Sequence, residues 1–183
     1  AAAVVAGRTL EELGFTRESV VSGFFVKEAV LPFRKLRGAD AVLGPEMKST
    51  GEVMGVASNF GHAFAKAELG AGESLPLGGT VLLSVNDYDK KNIIKTAADL
   101  VALGFTLMAT QGTAKALAAA GLDVETERKV SEGGPHVVDY IQSGGINLII
   151  NTPLGKNAFS DGAAIRQEAL ARRIPLITTL SGA

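Results

Sequence analysis

The sequence predicts an α/β protein: a doubly wound, three-layer α/β/α domain with a parallel sheet of about five strands, preceded by a shorter α+β segment. Three observations predict it. Apolar runs recur through the second half of the chain, at TVLLSV (80–85), FTLMAT (105–110), NLIIN (147–151) and PLITT (175–179). Between and after them lie segments of helical character, KKNIIKTAADLVAL (90–103), TAKALAAAG (113–121), PHVVDYIQSG (135–144) and AFSDGAAIRQEALARR (158–173), and this alternation is the signature of βαβ units. The runs are also continuous rather than alternating, as strands are when helices cover both faces of their sheet. A weaker fifth strand is expected near Asp123 to Thr126.

The front of the chain reads differently. Residues 1–14 read as the end of a helix and a helical turn stopped by Gly14, with no capping residue before Ala1 and no initial methionine. Such a start suggests a piece of something longer. Residues 24–36 mix β-formers with alternating charge, and 40–57 break short apolar stretches with Gly and Pro, as loops and short strands do. Neither stretch offers a helical face to cover a sheet. In 59–69, Phe60, Ala63, Phe64, Ala67 and Leu69 fall near helical spacing, and the Gly- and Pro-containing stretch 70–79 is a connector. A domain boundary is placed there, dividing 1–69 from 70–183.

Composition excludes several function classes. At 183 residues with 46% hydrophobic residues, the chain is long enough for one substantial core or two small ones. Eighteen basic residues against 19 acidic ones leave no basic footprint for nucleic acid or an anionic membrane. With no cysteine there is no disulfide, thiolate metal site or cysteine nucleophile, which fits a cytoplasmic location. No apolar run reaches the length of a membrane span. The two histidines, His62 and His136, have no partner at metal-ligand spacing and read as surface or satisfied groups, so no metal or cofactor is expected.

In a doubly wound sheet, ligands bind outside the carboxyl ends of the strands. At Ala109-Thr110-Gln111-Gly112-Thr113 a strand ends, a glycine permits close approach and a helix opens with a hydroxyl, so free amides, a helix dipole and two threonines converge on a small anion. Thr113 read simply as a helix cap explains the spacing equally well. Lys90 follows the first strand and Lys129 the weak one, and both reach the same sheet edge, although a lone lysine is usually solvated. Ser84, Asn151 and Thr152 end strands and can hydrogen-bond a sugar or base, or serve turn geometry. Ser131 to Pro135 reads as a helix start with Pro135 near the first turn, and Glu125 and Glu127 as a solvated strand face.

Over essentially its whole length the chain resembles one family. Val26-Lys27-Glu28, Leu31-Pro32-Phe33 and the string Leu43-Gly44-Pro45-Glu46-Met47-Lys48-Ser49-Thr50-Gly51-Glu52-Val53-Met54-Gly55 are similar to the end of the second ATP-grasp unit of carbamoyl phosphate synthetase large subunits. The rest is similar to the methylglyoxal-synthase-like regulatory domain of that subunit, through Leu83-Ser84-Val85, Asp89-Lys90, Ala109-Thr110, Gly112-Thr113-Ala114, Glu132-Gly133, Pro135-His136, Ile149-Ile150-Asn151-Thr152 and Thr178-Thr179-Leu180. The resemblance implies a parent ligase that makes carbamoyl phosphate from bicarbonate, glutamine-derived ammonia and ATP, with magnesium or manganese, for pyrimidine and arginine synthesis. It also implies a glutaminase small subunit as partner. The metal and ATP ligands of that unit lie upstream of the matched segment, so the piece by itself is expected to be catalytically silent.

By the same resemblance, Ser84, Lys90, Thr110, Thr113, Lys129, Asn151 and Thr152 fall on effector positions for UMP and IMP, with phosphate contacts from Thr110, Thr113 and Lys129. Glu28 and Thr178 fall on an ornithine site at the junction of the two parts, where Leu176 replaces a tyrosine of some members. The rival from another class is a methylglyoxal synthase-like lyase. It needs an aspartate after a Gly-Gly pair and another before Pro-Leu, and this chain has Pro135 and Thr152 there. A third reading is an oligomerisation module, since regulatory domains of the family also associate. The chain stops at Ser181-Gly182-Ala183, where the family continues into a final helix.

Overall fold

The computed structural model describes residues 2–18, 20–30, 51–129, 132–154 and 156–183, the backbone alone for 156–161. The family-like stretches Leu31-Pro32-Phe33 and Leu43 to Thr50, and Ser131 at the expected helix start, lie outside the described residues. A helical turn, α1 (Ala2–Val5), precedes a chain reversal at Gly14, which adopts φ +76°. Strands β1 (Phe24–Val30) and β2 (Gly51–Ala57) pair antiparallel, with Phe24 opposite Ala57 and Val30 opposite Gly51.

Helix α2 (Phe60–Ala71) supplies the covering face that the hairpin's own sequence lacks. Asn59 starts it, its Oδ1 accepting from the amide of His62 at 2.8 Å, and Gly72 at φ +90° ends it. The helix runs two residues further than the spacing of its apolar positions predicts. Ala63 and Ala67 are fully buried against β2, and the approach is close enough that a Cβ on Gly55 would stand 1.8 Å from the carbonyl oxygen of Ala63 and 2.6 Å from the amide of Ala67.

The second sheet has five parallel strands in the order β5-β4-β3-β6-β7. They are β3 (Gly79–Val85), β4 (Phe105–Thr110), β5 (Glu125–Glu127), β6 (Leu148–Thr152) and β7 (Leu176–Ile177), joined by α3 (Ile93–Ala102), α4 (Gln111–Ala119), α5 (Val137–Ser143) and α6 (Lys156–Arg172). The three-layer α/β/α architecture follows from alternation along β3. Val81, Leu83 and Val85 pack into a core with Ile93 and Ala97 of α3 and Ala114 and Leu117 of α4. Leu82 points the other way, into a core with Val137 and Ile141 of α5 and Ile165 and Ala169 of α6.

Local boundaries differ from the pattern in three places. Helix α4 opens at Gln111, so Thr110 is its cap residue and Thr113 sits inside the first turn. His136, not Pro135, precedes α5, and its amide donates to Asp139 Oδ2 at 2.8 Å. Edge strand β7 keeps only two residues, because the chain turns after Ile177, where Thr179 Oγ1 accepts from the amide of Gly182 at 3.2 Å.

Gly55→Ala is expected to destabilise the hairpin and α2 by about 1–3 kcal/mol, since the obstructing atoms are backbone and cannot rotate away. Denaturant unfolding of the variant checks this.

Candidate functional site

The polar groups converge because three neighbouring strands end in polar residues on the same face. The chain leaves β3 for β4 on one side and returns to β6 on the other, which opens a crevice at the carboxyl ends of these strands. Ser84 pairs in register with Asn151, and Asn151 Nδ2 donates to the Ser84 carbonyl at 3.0 Å. Thr110 Oγ1 lies 3.4 Å from Ser84 Oγ, to which it donates. Strand alternation carries Ser84 and Asn151 to the α6 side and Val85 and Thr152 to the α3 side.

The loop after β3 is shaped by Asn86. Its Oδ1 accepts from the amides of Tyr88 at 2.9 Å and Asp89 at 3.2 Å, and its Nδ2 donates to Asp89 Oδ2 at 2.6 Å and Thr152 Oγ1 at 3.1 Å. Thr152 therefore holds the loop with its hydroxyl. The loop delivers Lys90 over the start of α4, where a Cβ on Gly112 would stand 2.8 Å from Lys90 Nζ. Gly112 is what leaves room for that ammonium. Thr113, fully buried, accepts at Oγ1 from the amide of Val85 at 3.2 Å and so ties α4 to β3.

These groups line one cavity of about 230 Å³, together with Asp87, Lys129, Leu154, Gly162 and Ile165. Its electrostatics favour an anion. The first-turn amides of α4 have no partner within the helix, Lys90 closes over them, and Lys129 has no ion-pair partner among the described residues. Lys90 is paired with Asp87, whose side chain is 88% exposed. The hydrogen bond from Lys90, then its charge, holds the Asp87 carboxyl below the usual carboxylate range, and Lys129 adds to this. Among the described residues no group of three or more His, Cys, Asp or Glu side chains is placed to hold a metal, and no helix is long and apolar enough to cross a membrane.

A second cavity of about 230 Å³ lies between β1, α2 and the far end of α6, and Glu28 and Thr178 both line it. Glu68, Glu73, Leu170, Ile174 and Leu176 are further parts of its wall. Burial, then the charges of Glu28 and Glu73, push the Glu68 carboxyl above its ordinary value of 4.5.

Residues 92–178 match the model of the MGS-like domain family. The whole chain is 55% identical to the carbamoyl phosphate synthase large chain of Nostoc sp. over 183 residues. Over 181 residues it is 55% identical to that of Pseudomonas putida, covering 99% of this chain. The chain belongs to the carbamoyl phosphate synthase large-chain family. It spans 17% of the length of these relatives. A solved structure of methylglyoxal synthase from Elizabethkingia anophelis NUHP1 is similar with a TM-score of 0.48 and 20% identity, covering 58% of this chain and 75% of that one.

All seven effector candidates read from this synthase-family sequence, Ser84, Lys90, Thr110, Thr113, Lys129, Asn151 and Thr152, meet in the first cavity. Glu28 and Thr178 meet in the second. Four residues escaped the sequence. Asn86 and Asp87 were legible in principle, because an Asn-Asp pair directly after a strand is a turn signal. Glu68 and Arg166 were not, since a charged residue within a helix reads as solvated until the fold buries it. His62, whose Nδ1 lies 3.0 Å from Asn59 Nδ2, and His136 both serve helix starts.

The raised Glu68 pKa fixes a sign. The folded state binds this proton more tightly than the unfolded chain, so its favourable contribution is complete below the unfolded value and is lost as pH rises through the folded one. Glu68→Gln should therefore gain stability over the original chain at pH 7 and little at pH 4, as read by urea unfolding at both.

Proposed function

We propose that this chain is the regulatory part of a carbamoyl phosphate synthase large chain, in which residues 70–183 bind the nucleoside monophosphates UMP and IMP. Residues 1–69 are then the end of an ATP-grasp unit, joined in the parent to the rest of the large subunit and to a glutaminase small subunit. The parent forms carbamoyl phosphate from bicarbonate, glutamine-derived ammonia and ATP in the cytoplasm. The observation that carries the reading is the crevice itself, where Lys90, Lys129 and the open amides of α4 surround a space walled by Ser84, Thr110 and Asn151. Lysines and helix amides suit a phosphate, and hydroxyls with an amide suit a sugar.

A lyase reading has less support. Pro135 offers no proton acceptor, and the Thr152 hydroxyl is tied to Asn86. Calorimetric titration of the chain with UMP and IMP, with dihydroxyacetone phosphate turnover as control, tests both. Saturable binding without turnover is the expected result, and turnover overturns it. Lys129→Ala should cost about 1.5–3 kcal/mol of nucleotide affinity, the scale of a hydrogen bond to a charged group, in the same titration.

Asp87 acts in this reading as a stand-in anion that the phosphate displaces from Lys90. Asp87→Asn should then tighten inorganic phosphate binding by roughly two- to fivefold, the scale of an exposed ion pair, measured by competition with UMP.

The second cavity favours a cationic amino-acid ligand such as ornithine, because carboxylates of Glu28 and Glu68 share a wall with the hydroxyl of Thr178. In the whole synthase, Glu28→Gln should weaken the ornithine response and leave UMP binding intact. Equal loss of both would remove Glu28 from a separate site.

A further inference from the structure

Arg166 is the largest completely enclosed side chain among the described residues, at 0% exposure, and it lies on α6 behind the nucleotide cavity. Its Nη1 donates to Asn151 Oδ1 at 3.0 Å, while Asn151 Nδ2 donates to the Ser84 carbonyl at 3.0 Å. These two partners leave the amide a single orientation. A guanidinium has donors and no acceptor, so the atom facing it must be oxygen; a carbonyl has no donor, so the atom facing Ser84 must be nitrogen.

The pair also needs room on the helix. A Cβ on Gly162, one turn before Arg166, would stand 2.4 Å from Arg166 Nη1 and 2.9 Å from Asn151 Oδ1. Asn151 Oδ1 is thereby engaged by α6, and of the two Nδ2 hydrogens one goes to β3. Because Asn151 lines the cavity, the second is the hydrogen available to a ligand there.

We propose that Arg166 is a positioning residue that fixes Asn151 as a hydrogen-bond donor toward the cavity, so that the site selects a ligand with an acceptor oxygen at that point. The inference rests on the nucleotide-binding reading and extends it to the polarity of one contact. Such an oxygen belongs to a phosphoryl group or to a sugar. Without Arg166 only the Ser84 carbonyl holds the amide, and a rotated state that turns oxygen toward the ligand becomes accessible at the cost of that one contact.

The test is a double-mutant cycle on the 183-residue chain, with UMP, uridine and inorganic phosphate as titrants. Asn151→Ala and Arg166→Met should each weaken UMP binding roughly tenfold or more, and the double variant should bind no more weakly than Asn151→Ala. Arg166→Lys, which keeps a donor, should recover part of the loss. Parallel losses for phosphate place the oxygen on the phosphoryl group, and parallel losses for uridine place it on the sugar; either supports the assignment.

An Arg166→Met penalty that is as large without the Asn151 side chain as with it overturns the proposal, because a residue acting only through general stability would behave that way. If Arg166→Met fails to fold, the unaltered chain decides by NMR. One side-chain amide proton of Asn151 should shift on UMP addition, and neither shifting overturns the proposal equally. UMP and IMP both failing to bind the unaltered chain would instead remove the nucleotide reading beneath it.

Discussion

Everything at the crevice depends on β3 being covered on both faces. Because α3 and α4 lie on one side and α5 and α6 on the other, each residue of β3 is committed by parity to one core or the other. The strand is apolar from Val81 to Leu83 and places a polar residue, Ser84, near its carboxyl end. Ser84 is then aimed at α6 and the Val85 backbone at α4, where Thr113 takes its amide. A register slip of one residue would send Leu82 into the α3 core and Ser84 with it. The site is thus specified by the same alternation that specifies the fold.

The positive charge of the cavity is partly offset by the protein itself. Two lysines beside the open end of a helix would repel one another and the helix dipole, and Asp87 offsets that repulsion from an exposed position. An exposed ion pair contributes little to stability, so exchanging Asp87 for a phosphate costs little. A buried partner would have made the exchange prohibitive. In the proposed reading, affinity would arise from contacts Asp87 cannot make, those deeper in the crevice with Thr110 and Asn151, both nearly inaccessible to solvent.

Most of this was legible in the sequence because its signals are periodic. The apolar runs locate the core strands, and their polar last residues, Ser84, Thr110, Asn151 and Thr152, mark the crevice. Strand β5 was the weak case, since its three residues Glu125, Thr126 and Glu127 carry no apolar run and pair only along β4. Helix α4 opens two residues before its hydroxyl, because Thr110 needs no side-chain bond to cap it. Of the two readings the spacing left open for Thr113, the helix cap does not hold, because Thr110 occupies the cap position and the Thr113 hydroxyl accepts from the Val85 amide. Arg166 was invisible for a different reason: sequence periodicity assigns a face to a residue, but only the tertiary fold decides whether a helix has a solvated face at all.

Helix α6 joins the two cavities. Gly162 and Ile165 line the first, and Leu170 of the same helix lines the second, with Ile174 and Thr178 following in the chain. A rigid helix bordering two ligands couples them only if it has two positions that the ligands distinguish. Sliding or rotating α6 would separate Arg166 Nη1 from Asn151 Oδ1 and cost a buried, charge-assisted hydrogen bond. The Arg166–Asn151 contact is consequently the point at which movement of α6 at the second cavity would be felt at the first, because it cannot break without loosening an amide that lines the first cavity.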